Sequence, residues 1–269
     1  SRCSGRWAMP IKIKVSGFTL LVAALAFFSH AAVPLGHIFF ILTLHESGHA
    51  FWAWFFHYPV RQLSILPFGL ALTLDHFGNG NAWEELVILA GGLTMHGVIP
   101  LLYGGLAKLG WVSPVMLDWV LDINRSVFLF NVLPLYPLDG GRIVQSLWHC
   151  FLPYRTAQAL TVVLSMLGTP LAFVKLMNCN PMTLGVFGFL FAVNLISWCQ
   201  RAYQAEHFYL YRLIHPSSHP LKLHRRQDLY RQRHNVILEP GGLLDEKQWL
   251  TRRFGKAGPI PSQPRGWLI

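Results

Sequence analysis

Charge is scarce in this chain. Of 269 residues, 13% are charged and 53% are hydrophobic. Soluble domains carry about 25% charged residues. The shortage excludes an ordinary water-soluble enzyme and points to a chain that lies in a bilayer. Cysteine is scarce too. Cys3, Cys150, Cys179 and Cys199 lie far apart and form no C-x-x-C pair. That excludes a disulfide framework and a cysteine-rich zinc site. The first apolar run has no clear A-x-A exit and more runs come after it, so it reads as a span rather than a cleaved leader. No internal repeat is visible.

The charge that is present lies unevenly. Residues 21–200 hold six Lys or Arg against seven Asp or Glu, whereas residues 201–269 hold twelve against five. The basic part is a tail. It reads as a solvated cytoplasmic segment, with anionic lipid or an acidic partner as the alternative. Nucleic acid is not expected as a partner.

Six apolar stretches approach the length of about 20 residues needed to span. They are residues 15–32, 34–57, 84–106, 115–137, 157–177 and 182–200. The fourth is the weakest, because Asp118, Asp122 and Arg125 fall within it. Lys12, Lys14, Arg61, Arg142, Arg155 and Arg201 all fall on one side if both termini are cytoplasmic, as the positive-inside rule requires. Between the second and third stretches, Leu70, Leu72 and Leu74 alternate with Ala71 and Thr73, a strand period. This predicts a hairpin over about 62–75 at the membrane surface. In the tail, "HNVILEPGGLLDEKQWL" reads as strand, turn, then helix. The expected architecture is an all-α multi-pass membrane protein: about six transmembrane helices, a small β-hairpin and a short cytoplasmic tail. Its expected domains are residues 10–202 and 203–269.

Against this apolar background stands "FFILTLHESGHAFWAWFF", residues 39–56. Residues i and i+4 share a helix face, so His45 and His49 can aim two imidazoles at one ion. Glu46 sits beside that point, placed to take a proton from water. The bland alternative is two packing histidines and a buried glutamate, but an unpaired carboxylate in an apolar span is costly. A catalytic zinc site usually has three protein ligands. The best candidate for the third is Asp139 in "NVLPLYPLDGG", residues 131–141, where Pro137, Gly140 and Gly141 break the helix. Its bland alternative is an N-cap for a helix over 141–151. Asn131 is a carboxamide in an apolar helix and needs partners. A peptide backbone would supply them, and so would an interhelical hydrogen bond. His37, His57, His96 and His149 read as interfacial or packing histidines. Among these His96 is the one to test, because the third span should border a cleft.

H-E-S-G-H in an apolar span, followed by N-x-x-P and P-L-D-G after a later span, resembles the site-2-type intramembrane metalloproteases of peptidase family M50, and their sporulation branch most. The resemblance implies one zinc ion per chain held by His45, His49 and Asp139, with Glu46 as general base. It implies that Asn131 and Pro137 position substrate. It also implies a membrane-associated protein substrate of the pro-sigma-factor type and inhibitory membrane partners. The helical form hides a peptide's carbonyls, so the substrate should be extended, held by strand addition to the hairpin or by other means. Two competing readings use the same residues: a metal-ion transporter or sensor, and a catalytically dead regulator.

Overall fold

A bilayer leaves the backbone few ways to satisfy its polar groups, and the apolar stretches accordingly form helices. The computed structural model describes residues 12–15, 17–28, 32–66, 69–74, 77–176, 181–217, 219–225 and 228–255. Cys3 and Cys179 lie outside them, and Cys150 and Cys199 are free thiols. The elements run β1 (Lys12–Val15), α1 (Gly17–Phe28), α2 (Ala32–Phe55), β2 (Val60–Leu66), β3 (Gly69–Leu74), α3 (Ala82–Lys108), α4 (Pro114–Val132) and α5 (Asp139–Phe151). Next come α6 (Tyr154–Leu176), α7 (Pro181–Ile214), β4 (Leu221–His224), β5 (His234–Glu239), β6 (Gly242–Asp245) and α8 (Glu246–Phe254). The fold is mostly helical. Among the described residues, three helical segments are long and apolar enough to cross a membrane: Ala82–Lys108, Tyr154–Val174 and Leu184–Ile214.

The chain forms two compact units. The first comprises residues 1–77 and 86–133, and the second comprises residues 78–85 and 134–266. In the first unit β2 and β3 form the expected antiparallel hairpin, with Leu63 opposite Leu72 and Ile65 opposite Leu70. Beyond expectation, β1 adds to β2 in parallel, so β3 occupies one edge of a three-stranded sheet. Helices α2, α3 and α4 share a core of Ile41, Ile99, Tyr103 and Val120. Ser113 caps α4, accepting from the Met116 amide at 3.2 Å, with Pro114 at the first helical position. That helix ends at Val132, five residues before the end of the expected span. Pro134 forces its predecessor out of the helical region, and Leu133 sits at φ −55°, ψ 133°.

In the second unit α7 runs 34 residues, past the end expected at 200, as far as Ile214. Its C-terminal part packs on the tail. Tyr154, Phe208, Tyr209, Leu229, Ile237, Trp249 and Leu250 form one core. The Tyr154 and Phe208 rings stack at 4.1 Å. The tail has more strand than expected: β4 pairs with β5 in parallel and β5 with β6 antiparallel, before α8.

Candidate metal centre

The motif lies in the second half of α2, a helix with no proline after Pro34. Proline in the first turn removes an N–H that no intrahelical carbonyl needs. One helical turn apart, His45 and His49 are both buried, at 4% and 8% exposure. Their Nε2 atoms lie 3.1 Å apart. Two nitrogens bound tetrahedrally to one zinc at about 2.0–2.1 Å would lie about 3.3 Å apart, so the pair is set for a shared ion.

Two glycines make this geometry possible. A Cβ on Gly48 would sit 2.2 Å from the Gly91 carbonyl oxygen, so α2 and α3 meet backbone to backbone. A Cβ on Gly92 would sit 2.2 Å from both Cε1 and Nε2 of His49. The His49 ring therefore occupies the space that a side chain at position 92 would fill. Its other nitrogen, Nδ1, lies 2.8 Å from the Ile88 carbonyl oxygen. A carbonyl only accepts, so Nδ1–H donates and Nε2 keeps the lone pair a metal requires.

His45 is held from the side away from His49. Its Nδ1 lies 3.1 Å from His96 Nε2. His96 Nδ1 in turn lies 2.8 Å from Asn124 Oδ1, and Asn124 Nδ2 donates to the His96 carbonyl at 3.0 Å. His96 and Asn124 are each 5% exposed. His96 is thus neither a bare packing residue nor aimed where His45 and His49 meet. Asn124 went unnoticed in the sequence, although a carboxamide in an apolar helix is the same signal that singled out Asn131.

Glu46 is half-buried on α2, next to His45 in sequence. Asn131 spends its amide N–H on its own helix, donating to the Val127 carbonyl at 3.0 Å. Pro137 lies in the turn between α4 and α5. In the second unit that turn is fixed from several directions. The Tyr136 amide donates to Ser165 Oγ at 2.8 Å, Asn194 Nδ2 donates to the Tyr136 carbonyl, and the Leu138 amide donates to Leu135 at 2.9 Å. A Cβ on Gly141 would meet Leu135 and Tyr136 backbone atoms at 2.3 Å. Ser165 and Asn194 were not singled out in the sequence. Asp139 opens α5 as its first helical residue, and the N-cap is Leu138, so the capping alternative for Asp139 does not hold.

Two imidazoles on one helix face, from His45 and His49, make a donor pair suited to zinc. The other histidines have plain structural contacts. His37 Nδ1 meets the Tyr103 hydroxyl at 2.8 Å, and His149 stacks on Tyr154 at 4.8 Å.

Residues 93–174 match peptidase family M50. The matched segment contains Asn131, Pro137 and Asp139 but starts after H-E-S-G-H, so motif and match come from separate stretches. The chain is 30% identical over 169 residues to stage IV sporulation protein FB of Bacillus subtilis, covering 63% of this chain and 57% of that protein. It is 23% identical over 146 residues to a zinc metalloprotease of Methanocaldococcus jannaschii, covering 52% and 42% respectively. It thus spans about half the length of these relatives. Its fold is similar to that of a solved site-2 protease from Methanocaldococcus jannaschii, with a TM-score of 0.53 at 20% identity, covering 70% of this chain and 91% of that one. The chain is thus similar to peptidase family M50 over residues 93–174 and to the solved site-2 protease in fold.

Proposed function

We propose that this protein is an intramembrane zinc endopeptidase. The observation that carries the reading is the pair of His45 and His49 Nε2 atoms, buried and 3.1 Å apart. His45 and His49 hold the ion from α2, and Asp139 supplies the third ligand. When bound, zinc supplies Lewis-acid chemistry, polarising a carbonyl and bringing the acidity of water near neutrality. Glu46 is the general base that takes the proton as water attacks the scissile carbonyl, and it returns that proton to the leaving amine. Asn131 and Pro137 position the substrate backbone. Residues 10–202 form the proteolytic domain and residues 203–269 a basic cytoplasmic appendage, with both termini on the cytoplasmic side.

The substrate class is argued from the setting. A peptide must be extended before its carbonyls can reach a zinc site, and β3 at the sheet edge offers a template for strand addition. Similarity to a sporulation protein supports a membrane-associated pro-sigma factor as substrate, with inhibitory membrane proteins as partners.

The test is co-expression with membrane-tethered precursors of transcription factors, comparing wild type, Glu46→Gln and the double variant Leu70→Pro, Leu72→Pro on gels. Loss of a general base costs about 10²–10⁴-fold, so Glu46→Gln should abolish visible processing while the purified protein still takes up zinc. The proline variant should slow processing without unfolding the chain. Retained cleavage by Glu46→Gln would refute the mechanism and leave a metal transporter or sensor as the better account. Unaltered rates in the proline variant would remove strand addition alone.

A further inference from the structure

We infer that His96 and Asn124 are positioning residues for the metal centre, fixing which nitrogen of His45 keeps its lone pair; the inference rests on the zinc reading above. Asn124 sets the direction of every hydrogen bond in the relay. Its amide nitrogen donates to the His96 carbonyl at 3.0 Å, which settles the orientation of the carboxamide. The atom facing His96 Nδ1 at 2.8 Å is then the oxygen, and an oxygen of this kind only accepts. So His96 carries its hydrogen on Nδ1 and its lone pair on Nε2. That lone pair faces His45 Nδ1 at 3.1 Å, which must therefore be the donor. The last consequence falls on His45 Nε2, which is left as an acceptor pointing at His49 Nε2.

The backbone carbonyl of Ile88 does the same for His49 in one step. Both imidazoles thus present lone pairs to one point between them. Without His96, the His45 ring is released to the other tautomer, whose hydrogen would occupy the coordinating position. The relay also accounts for a histidine on α3 and an asparagine on α4 that are almost fully buried. Polar groups in apolar helices cost free energy unless they are hydrogen-bonded. Their partners here lead in two steps from Asn124 to the metal ligand.

The experiment measures zinc affinity of the purified full-length protein by competition with a chelator. It compares wild type with Glu46→Gln, His49→Ala, His96→Leu, His96→Gln and Asn124→Leu. Losing the partner that orients a ligating histidine typically weakens metal binding about 10–100-fold. His96→Leu and Asn124→Leu should show that loss, while Glu46→Gln binds like wild type and His49→Ala binds far more weakly. His96→Gln should recover most of the affinity, because its amide can offer oxygen to His45 and N–H to Asn124. The visible absorption of the Co2+-loaded protein gives a second readout, unlike wild type for His96→Leu and like it for His96→Gln. If His96→Leu does not fold, Asn124→Leu and His96→Gln decide the matter. Wild-type affinity and an unchanged Co2+ spectrum in the leucine variants would overturn the inference. A wild-type protein that takes up no zinc would instead bring down the metal reading, and the inference with it.

Discussion

The two units bury polar groups in opposite ways. In the first, the buried groups around the motif are three imidazoles and an amide, and their hydrogen bonds lead to two lone pairs that face each other. In the second, one group of buried residues is charged, and its network closes on itself. Arg231 pairs with Glu85 and donates to the Gly80 carbonyl at 2.9 Å. Arg212 binds both oxygens of Glu246 and the carbonyls of Arg231 and Arg233. Glu246 also accepts from the Asn235 amide and side chain at 2.9 Å. An arginine near the histidine pair would repel a dication and a carboxylate bonded elsewhere would be spent. A network that leads to two adjacent imidazole nitrogens is a place for an ion, and a network in which cation meets anion is a staple.

The sharpest way to break this comparison is to open the closed network. Removing one partner of a buried ion pair costs about 3–5 kcal/mol, because the other charge is left behind. Arg231→Ala should destabilise the protein by that amount in a denaturation experiment, since Arg231 and Glu85 are each 1% exposed. The zinc affinity of the protein that remains folded should not change. The double variant Arg231→Met, Glu85→Leu should recover most of the stability, as replacing both charges by apolar groups is often neutral or better. A loss of zinc in step with the loss of the pair would show that the staple and the site are not separable.

The converse variant acts on the site more than on stability. In Gly92→Ala the new methyl would meet the His49 ring at 2.2 Å, and the ring must leave its place against the Ile88 carbonyl. Zinc affinity should fall by on the order of tenfold or more. Thermal stability should fall less than in Gly48→Ala, because the methyl meets a side-chain ring rather than backbone and alanine is favoured over glycine in a helix by about 1 kcal/mol. Gly48→Ala is the harsher control. Its methyl meets backbone atoms of Gly91, which cannot swing aside, so it should lower stability as well as zinc affinity.

How much of this the sequence disclosed depends on the range of each interaction. The pairing of His45 and His49 was legible because helix periodicity alone brings them together. The break before Asp139 was legible because Pro137 and the glycines announce it. Helices α3, α6 and α7 were legible from apolar length. The relay was not legible, because His96 and Asn124 lie 28 residues apart and only helix packing makes them neighbours. The carboxamide signal was present at both Asn124 and Asn131, yet it could not say that one reaches across to another helix and the other turns to Val127 on its own. Strand β1 left no trace either. "KIKV" reads as a charged flank, and its partner β2 is nearly fifty residues away. In the tail, the four residues of β6 were too few to carry a period, so the segment after the turn read directly as helix.

A smaller effect sharpens the comparison through histidine itself. His149 lies on α5, a helix of 13 residues outside the segments able to span, and it is 2% exposed. Burial holds its pKa well below the ordinary value, and the positive charge of Arg231 pushes the same way. In the unfolded chain the same imidazole protonates near pH 6.5. The unfolded state therefore binds the proton more readily, and stability rises with pH in the window below that value. The contribution is fully present above about pH 6.5 and is lost as pH falls toward the folded-state pKa. For one proton the slope cannot exceed about 1.4 kcal/mol per pH unit. His149→Phe retains a ring to stack on Tyr154 and removes the proton. Its stability should depend less steeply on pH than that of wild type between about pH 5 and 6.5, read from denaturation midpoints at each pH. Parallel curves would show that this imidazole already carries a proton in the fold, and that the second unit tolerates one more cation than its closed network can pair.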